Sequence, residues 1–288
     1  MSKTFPTVGL VAAGPTAQMF MSPARSLGVE LIICDSKESI QNIAGQCDVV
    51  TIADTSTFPI NAKRLEADGV TVRPSLSAYS FLKEILPARV DHGSHICVMV
   101  ARSPHGQATT WAPTEIITTA GKWTMSLTPA PHLSDALQEK AQQLALDFSA
   151  SAGAIGVIAV EMSVNEGEVF VVNVEMLPNY SGNWTVDGSV TNQYEQHLRA
   201  ILDLPLGDPA MSAPFVVTGN FYCGDKPNMY RPYLHLMART PALKFHQYKN
   251  SAIPGEVMGH ITLAGNNLAK LVEEIEHALE YLQGEIDE

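Results

Sequence analysis

The chain has 288 residues, of which 45% are hydrophobic and 17% are charged, and its formal net charge is −12 at pH 7. This length and apolar content can bury a substantial core, which excludes intrinsic disorder and favours two domains or one large one. The acidic balance leaves no basic stripe, so it excludes nucleic acid and an anionic membrane surface as partners.

The N-terminal third predicts strands that alternate with helices. Two segments have helical spacing and end at a glycine: "PTAQMFMSPARSLG" and "NAKRLEADG". Four short apolar runs are typical of buried strands: "TVGLVAAG", "VELIICDS", "CDVVTIAD" and "VTVRPS". This order predicts a doubly wound parallel (Rossmann-like) α/β domain over residues 1–85, with a ligand crevice beyond the strand C-termini.

The pattern changes after Lys83, where a short irregular connector, "LPARVDHGSH", begins the second part of the chain. Beyond it, alternating runs separated by turns at "SPHG" and "NEGE" predict antiparallel strands. Helices are expected from roughly Ser134 to Ser151, over "NQYEQHLRAILD" and near the C-terminus. We therefore expect a mixed α+β domain over residues 94–210 and a C-terminal subdomain over residues 211–288.

The cysteines indicate a reducing compartment. Cys34, Cys47, Cys97 and Cys223 form no CxxC pair and have no histidine at zinc-ligand spacing. They are therefore interpreted as buried thiols. No secretory signal or membrane-spanning apolar run is evident, so the sequence predicts a cytoplasmic protein without a membrane partner.

Four segments carry a resemblance to a known family. They are "GVIAVEM", "VVN", "SGNWTVDGSVTNQYEQHLRAILDLPLGDP" and "VMGHITLAG". In this order they resemble carboxyaminoimidazole ribonucleotide synthetase (PurK), a purine-biosynthesis enzyme of the ATP-grasp superfamily. The resemblance implies an ATP-grasp-type C-terminal domain, a homodimer, and a reaction in which ATP activates bicarbonate to carboxylate an aminoimidazole ribonucleotide.

The resemblance also implies a lid domain that carries the phosphate loop and the lysines for ATP. Here the connector leads straight into the strand "ICVMVARS", and no GxxxxGK[ST] or GxGxxG motif is present. We therefore expect the central lid domain to be deleted. Phosphoryl transfer depends on positioning and on cations around the phosphates, so this loss predicts a degenerate homologue that uses neither magnesium nor ATP.

The magnesium site implied by the resemblance is partly kept. Glu161 matches the first ligand position and Asn173 the amide of the second, while Glu175 follows two residues later on the same predicted strand face. These three residues are candidates for a relict metal site. The alternative is that they are polar residues at a strand end that face a water-filled cleft.

Positions that the resemblance assigns to phosphate and nucleotide have changed. Leu177 stands where the family has an arginine, Asn183 where it has a histidine, and Glu256 and Val257 where basic residues precede "MGH". The glycine-rich turn has become "AAGPTAQM", and Asp54 is the one acid left in "ADTSTFP". An acid in place of a cation repels phosphate, so the ligand is expected to be less anionic.

Seven residues remain as candidate ligand contacts: Asp54, Tyr180, Ser181, Asn183, Trp184, Lys244 and His260. "SGNWT" is either a ligand loop or a structural turn in which Trp184 packs and Ser181 or Asn183 caps backbone groups. "KFHQYK" is interpreted as a solvated strand face rather than an anion site, and His260 as a structural histidine.

The sequence therefore predicts a PurK-like homodimer that binds or acts on a different small molecule in the cleft between its domains. Two alternatives stay open. One is an active ATP-dependent synthetase that uses magnesium, and the other is a non-catalytic scaffold or regulatory partner of a metabolic enzyme.

Overall fold

The computed structural model describes residues 5–12, 14–35, 40, 42–43, 45–53, 58–86, 94–222, 230–248 and 255–284. Asp54 and Cys223, both named from the sequence, lie outside the described residues. No helix in the described ranges combines the length and the apolarity that a membrane crossing requires.

The N-terminal part is a small parallel sheet with helices, in the strand order β2-β1-β3. Its elements are β1 (Thr7–Val11), α1 (Gly14–Ser26), β2 (Glu30–Cys34), β3 (Val49–Ile52), α2 (Phe58–Ala67) and α3 (Leu76–Ile85). Strand β1 is buried along its whole length because both of its neighbours pair with it in parallel. The predicted parallel α/β unit is therefore present.

The fourth strand predicted for this sheet is wrong as an extended element. "VTVRPS" contributes a single parallel bridge, between Val72 and Val50, and the backbone N–H of Arg73 donates to the carbonyl of Val50. Pro74 follows with no N–H to continue a ladder, so the pairing stops and the chain turns into α3.

The second part of the chain forms one antiparallel sheet of order β11-β12-β10-β7-β6-β4-β8-β9, with β5 paired to β4. The strands are β4 (Ser94–Arg102), β5 (Ala108–Thr110), β6 (Thr114–Thr119), β7 (Lys122–Thr128), β8 (Gly156–Asn165), β9 (Glu168–Glu175), β10 (Phe215–Tyr222), β11 (Lys244–Gln247) and β12 (Val257–Gly265). The remaining helices are α4 (Asp135–Ala152), α5 (Thr185–Gly188), α6 (Gln193–Ile201), α7 (Tyr230–Arg239) and α8 (Leu268–Gln283).

Local sequence signals explain where these elements begin and end. The "NEGE" turn joins β8 to β9 with Glu166 and Gly167 both at positive φ, which is the two-residue hairpin geometry that matches strand twist. Helix α4 begins after Ser134, whose side chain accepts from the N–H of Leu137, and ends at Gly153 in the left-handed conformation. Both of these predictions are confirmed.

One core joins the two parts. Apolar side chains of β3, α2 and α3 pack in the same cluster as those of β4, β8 and α4, including Ile52, Phe58, Val98 and Ile158. The domain division between residues 210 and 211 stays a prediction. One sheet runs across it, since β7 and β10 hydrogen-bond to each other. Strand β9, at the edge of the sheet, carries the residues of the candidate site.

Candidate functional site

Adjacent strands bring three polar side chains into one row. Cys97 on β4 is the register partner of Glu161 on β8, and Glu161 is the partner of Asn173 on β9. Glu175 lies two residues further along β9, so it points to the same face as Asn173. The spacing predicted from the sequence therefore holds, and all three predicted metal-site residues meet at this edge of the sheet.

Amide side chains donate hydrogen bonds to both carboxylates of this face, those of Glu161 and Glu175. Nδ2 of Asn173 donates to Oε2 of Glu161 over 3.2 Å, and Nδ2 of Asn179 donates to Oε2 of Glu175 over 2.9 Å. We call these four residues the acid–amide cluster. Each carboxylate thus accepts a hydrogen bond from a neutral amide.

The thiol of Cys97 faces this cluster and is held in its neutral form. Burial raises the pKa of Cys97, the Ser181 hydroxyl lowers it, and the nearby charges of Glu161 and Glu175 raise it further. A neutral buried thiol is a weak nucleophile, so Cys97 is a structural residue of the site.

A cavity of about 250 Å³ opens beside the acid–amide cluster, between β9 and helices α2 and α3. Phe58 and Tyr79 form one wall as stacked rings 4.9 Å apart, and Asn173 and Glu175 form the opposite wall. The ammonium of Lys83 lies 5.6 Å from the centre of the Tyr79 ring. Lys83 is the one basic side chain among the described residues that line the cavity.

The segment after β9 crosses the face of the sheet toward β12, and we call residues 176–192 the crossing loop. It contains a short 3₁₀ turn, Tyr180–Gly182, capped by the side chain of Asn179, which accepts from the N–H of Ser181. Trp184 is fully buried against the core that includes Met99 and Trp111. The structural interpretation of this loop is supported, with Asn179 as the capping residue rather than Ser181 or Asn183.

Asn183 is the centre of a buried hydrogen-bond network. Its Oδ1 accepts from the hydroxyl of Tyr194 over 3.0 Å and from Nε2 of Gln193 over 3.1 Å. Its Nδ2 donates to the hydroxyl of Tyr248 over 2.7 Å, and that hydroxyl lies 2.5 Å from Nδ1 of His260. Asn183 is therefore the junction of this buried network, and its role as a ligand contact stays a prediction.

The network ends at a group of three ionisable side chains, Asp187, His246 and His260, which we call the histidine cluster. The imidazoles of His246 and His260 stack with centroids 4.5 Å apart, and Nε2 of His246 lies 2.7 Å from Oδ2 of Asp187. Burial and the proximity of His246 lower the pKa of His260 well below the ordinary range, so its imidazole is neutral.

The structure separates the other predicted ligand residues. Lys244 is exposed on β11, at the opposite edge of the sheet from β9. Ser181 is buried, whereas Tyr180 is 44% exposed and packs 6.0 Å from the ring of Tyr248. The interpretation of "KFHQYK" as a solvated face is wrong for Tyr248, which is 6% exposed because its hydroxyl joins the network of Asn183.

Sequence reasoning missed four residues that the site uses: Asn179, Asp187, Gln193 and Tyr194. All four lie in or beside the segment that carries the strongest resemblance, which is unusually rich in polar residues for a segment this deeply buried. That combination was the available signal, because buried polar groups need partners and therefore form networks.

Comparisons with known proteins agree with this fold. The ATP-grasp domain family matches residues 63–194. The structure superimposes on the N5-carboxyaminoimidazole ribonucleotide synthetase of Thermus thermophilus with a TM-score of 0.81 at 21% identity, covering 98% of this chain and 99% of that one. The Aspergillus clavatus enzyme in complex with ADP and 5-aminoimidazole ribonucleotide gives a TM-score of 0.86 at 19% identity, covering 97% and 99%. The fold and the matched segment define an ATP-grasp protein.

Curated sequences narrow this class. The chain is 36% identical over 235 residues to the N5-carboxyaminoimidazole ribonucleotide synthase of Mycobacterium tuberculosis, and 33% identical over 186 residues to that of Corynebacterium ammoniagenes. These alignments cover 80% and 62% of this chain, and the chain spans about half the length of each relative, 51% and 45%. The chain is a homologue of the N5-carboxyaminoimidazole ribonucleotide synthases, which confirms the resemblance.

Proposed function

We propose that this chain is a synthetase homologue that does not use ATP and binds a small, weakly anionic molecule in the cavity beside the acid–amide cluster. The observation that carries this proposal is the connection between α3 and β4. Helix α3 ends at Ile85 and β4 begins at Ser94, so only residues 86–93 lie between them. A compact domain needs at least about 50 residues, so no lid domain fits there.

The charges beside the cavity support the same proposal. Glu161 and Glu175 are the carboxylates of the acid–amide cluster, and Lys83 is the one lining cation in the described part of the chain. A unit charge at 4 Å contributes about 1 kcal/mol in water and about 4 kcal/mol near a protein surface. A triphosphate would therefore meet at least as much repulsion as attraction.

The size of the cavity also favours a small ligand. Its volume of about 250 Å³ lies below the roughly 300–1,000 Å³ of pockets that bury drug-sized molecules. The stacked rings of Phe58 and Tyr79 offer a flat apolar surface, and Asn173 and Glu175 add polar residues to the lining. This combination suits a compact planar molecule that carries hydrogen-bonding groups.

The second candidate is an active ATP-dependent synthetase of purine biosynthesis. It is favoured by the sequence relationship, because the relatives at 36% and 33% identity are N5-carboxyaminoimidazole ribonucleotide synthases. In that case another chain, or residues used in a new way, would supply the cations for the phosphates.

A turnover assay separates the two candidates. ADP formation is measured with magnesium, ATP, bicarbonate and aminoimidazole ribonucleotide, and the Thermus thermophilus enzyme serves as the positive control. The proposal expects no ADP above the enzyme-free rate. Turnover that disappears in Glu161→Gln, with the fold intact by circular dichroism, would establish the active synthetase instead.

A further inference from the structure

Three elements bring Asp187, His246 and His260 together, and none of these residues belongs to the acid–amide cluster. His246 and His260 are direct partners in the antiparallel ladder of β11 and β12, so their side chains leave the same face of the sheet. Asp187 comes from α5, which packs on β12. One ligand atom from each residue lies within 4.8 Å of the other two.

We propose that the histidine cluster is a binding site for a divalent transition-metal ion of the zinc class. The proposal does not depend on the function proposed above, since the cluster lies on β11 and β12 whereas the cavity lies on β9 at the other edge of the sheet.

An unpartnered nitrogen is the first support for a metal. Nε2 of His260 is buried and has no hydrogen-bond partner among the described residues. A buried polar atom left without a partner costs about 1–3 kcal/mol. A metal ion bound to this nitrogen removes that cost. The ring proton then lies on Nδ1 and is donated to the hydroxyl of Tyr248, which leaves the lone pair of Nε2 for the metal.

The second support is the surrounding shell. Histidine ligands of metals usually hold their other ring nitrogen in a hydrogen bond that fixes the orientation of the ring. Nδ1 of His260 lies 2.5 Å from the hydroxyl of Tyr248, and Nδ2 of Asn183 fixes that hydroxyl from 2.7 Å. Tyr248 therefore fixes the orientation of the His260 ring, and Asn183 in turn fixes the hydroxyl of Tyr248.

The donor set selects the class of ion. Two imidazoles and one carboxylate suit zinc and related first-row metals, whereas magnesium and calcium prefer oxygen ligands only. Three protein ligands leave a coordination position for water or a small molecule.

Access and geometry are compatible with loading. His246 is partly exposed on an edge strand, and it also lines a cleft of about 360 Å³ between α1 and α6. Its Nε2 is hydrogen-bonded to Asp187 at 2.7 Å, whereas zinc ligands at about 2.0–2.2 Å stand roughly 3.3–3.5 Å apart in a tetrahedron. Binding of the metal ion therefore separates Nε2 of His246 from Oδ2 of Asp187, and the ring of His246 tilts away from its stacked position on His260.

Titration of chelator-treated protein with Co²⁺ and Zn²⁺ tests the proposal. We expect one ion per chain, visible cobalt bands of a site with nitrogen ligands, and a rise in melting temperature with Zn²⁺. His246→Ala and Asp187→Asn should each weaken binding by more than the roughly 10–100-fold that loss of an outer partner causes, and Tyr248→Phe should weaken it within that range.

His105→Ala is the matched control, because His105 and Asp203 form a histidine–carboxylate pair that no second histidine of the described residues joins, and the side chain of His105 is exposed. This variant should bind zinc like the wild type. Circular dichroism checks that each variant folds. The proposal is overturned if the wild-type protein shows no saturable binding, or if folded His246→Ala and Asp187→Asn bind as tightly as the His105→Ala control.

Discussion

Nδ2 of Asn173 donates to Oε2 of Glu161 over 3.2 Å, so two of the three residues that the sequence predicted as a relict metal site contact each other directly. An amide donor in this position does what a cation does in a metal site, although more weakly, because it gives the carboxylate one neutral hydrogen bond.

The first prediction concerns this pair. Glu161→Ala removes the hydrogen bond from Asn173 at a partly buried position, and a typical hydrogen bond contributes about 0.5–1.5 kcal/mol, so we expect the free energy of unfolding to fall by about that amount. Urea denaturation followed by fluorescence measures the change. A loss above about 3 kcal/mol would mean that Glu161 carries a structural role beyond its contact with Asn173.

Asn183 should be far more sensitive. Asn183→Ala leaves the hydroxyl groups of Tyr194 and Tyr248 and the amide of Gln193 without their shared partner, so we expect a loss of about 2–4 kcal/mol. Chemical denaturation checks this value, with the exposed Asn266→Ala as a control that should change stability by less than about 0.5 kcal/mol. Equal effects of the two substitutions would refute the role of Asn183 as a junction.

Gly259 and Gly265 on β12 provide a matched pair of substitutions. A Cβ at Gly259 would lie 2.2 Å from the backbone oxygen of His246 and 2.5 Å from the ring of Phe221, whereas at Gly265 the nearest atom is Leu271 Cδ2 at 3.3 Å. Gly259→Ala should therefore destabilise the protein by about 1–3 kcal/mol or more, and Gly265→Ala by less than about 1 kcal/mol. Thermal melts that rank the two variants in the opposite order would contradict this packing of β11 on β12.

Stability should fall in mild acid because of His197. Its Nδ1 accepts from the N–H of Val157 over 3.0 Å, so Nε2 carries the proton and donates to the hydroxyl of Thr51 over 2.9 Å. Burial lowers the pKa of His197 from 6.5 to about 3. Between about pH 3 and pH 6.5, the unfolded chain therefore binds a proton at His197 that the folded chain does not bind.

The sign of the effect follows from that difference in protons. The stability contributed by neutral His197 is fully present above pH 6.5 and is lost at up to about 1.4 kcal/mol per pH unit as the pH falls toward 3. Urea titrations at several pH values measure the slope. His197→Gln should reduce it, while the exposed control His105→Gln should keep it. A wild-type stability that is flat between about pH 6.5 and 5 would contradict the neutral buried imidazole.

The fold could largely be read from the sequence, because its local signals agree with one another. Glycine and serine mark the ends of α4, and the "NEGE" turn places the β8–β9 hairpin. The prediction of a fourth N-terminal strand was wrong because this segment pairs at a single bridge only. "VTVRPS" has strand composition, but Pro74 removes the N–H that would extend its pairing beyond Val72.

The site was harder to predict, because its residues meet through tertiary contacts. Glu161 and Asn173 could be paired from strand spacing, since they lie on neighbouring strands of one hairpin. The histidine cluster could not be predicted from strand spacing, because the crossing loop brings Asp187 to β11 and β12 from the far edge of the sheet. Alternation along the strand predicted that Tyr248 lies on the surface. Its side chain is buried instead, with its hydroxyl hydrogen-bonded to the amide of Asn183.

Isothermal titration calorimetry with Mg-ATP tests most directly whether this chain can hold a polyphosphate. The Aspergillus clavatus synthase, whose structure was solved in complex with ATP, is the positive control. With Lys83 as the one cation among the described lining residues and only residues 86–93 between α3 and β4, we expect no saturable heat at physiological salt. A micromolar dissociation constant that Glu161→Gln weakens would contradict that expectation.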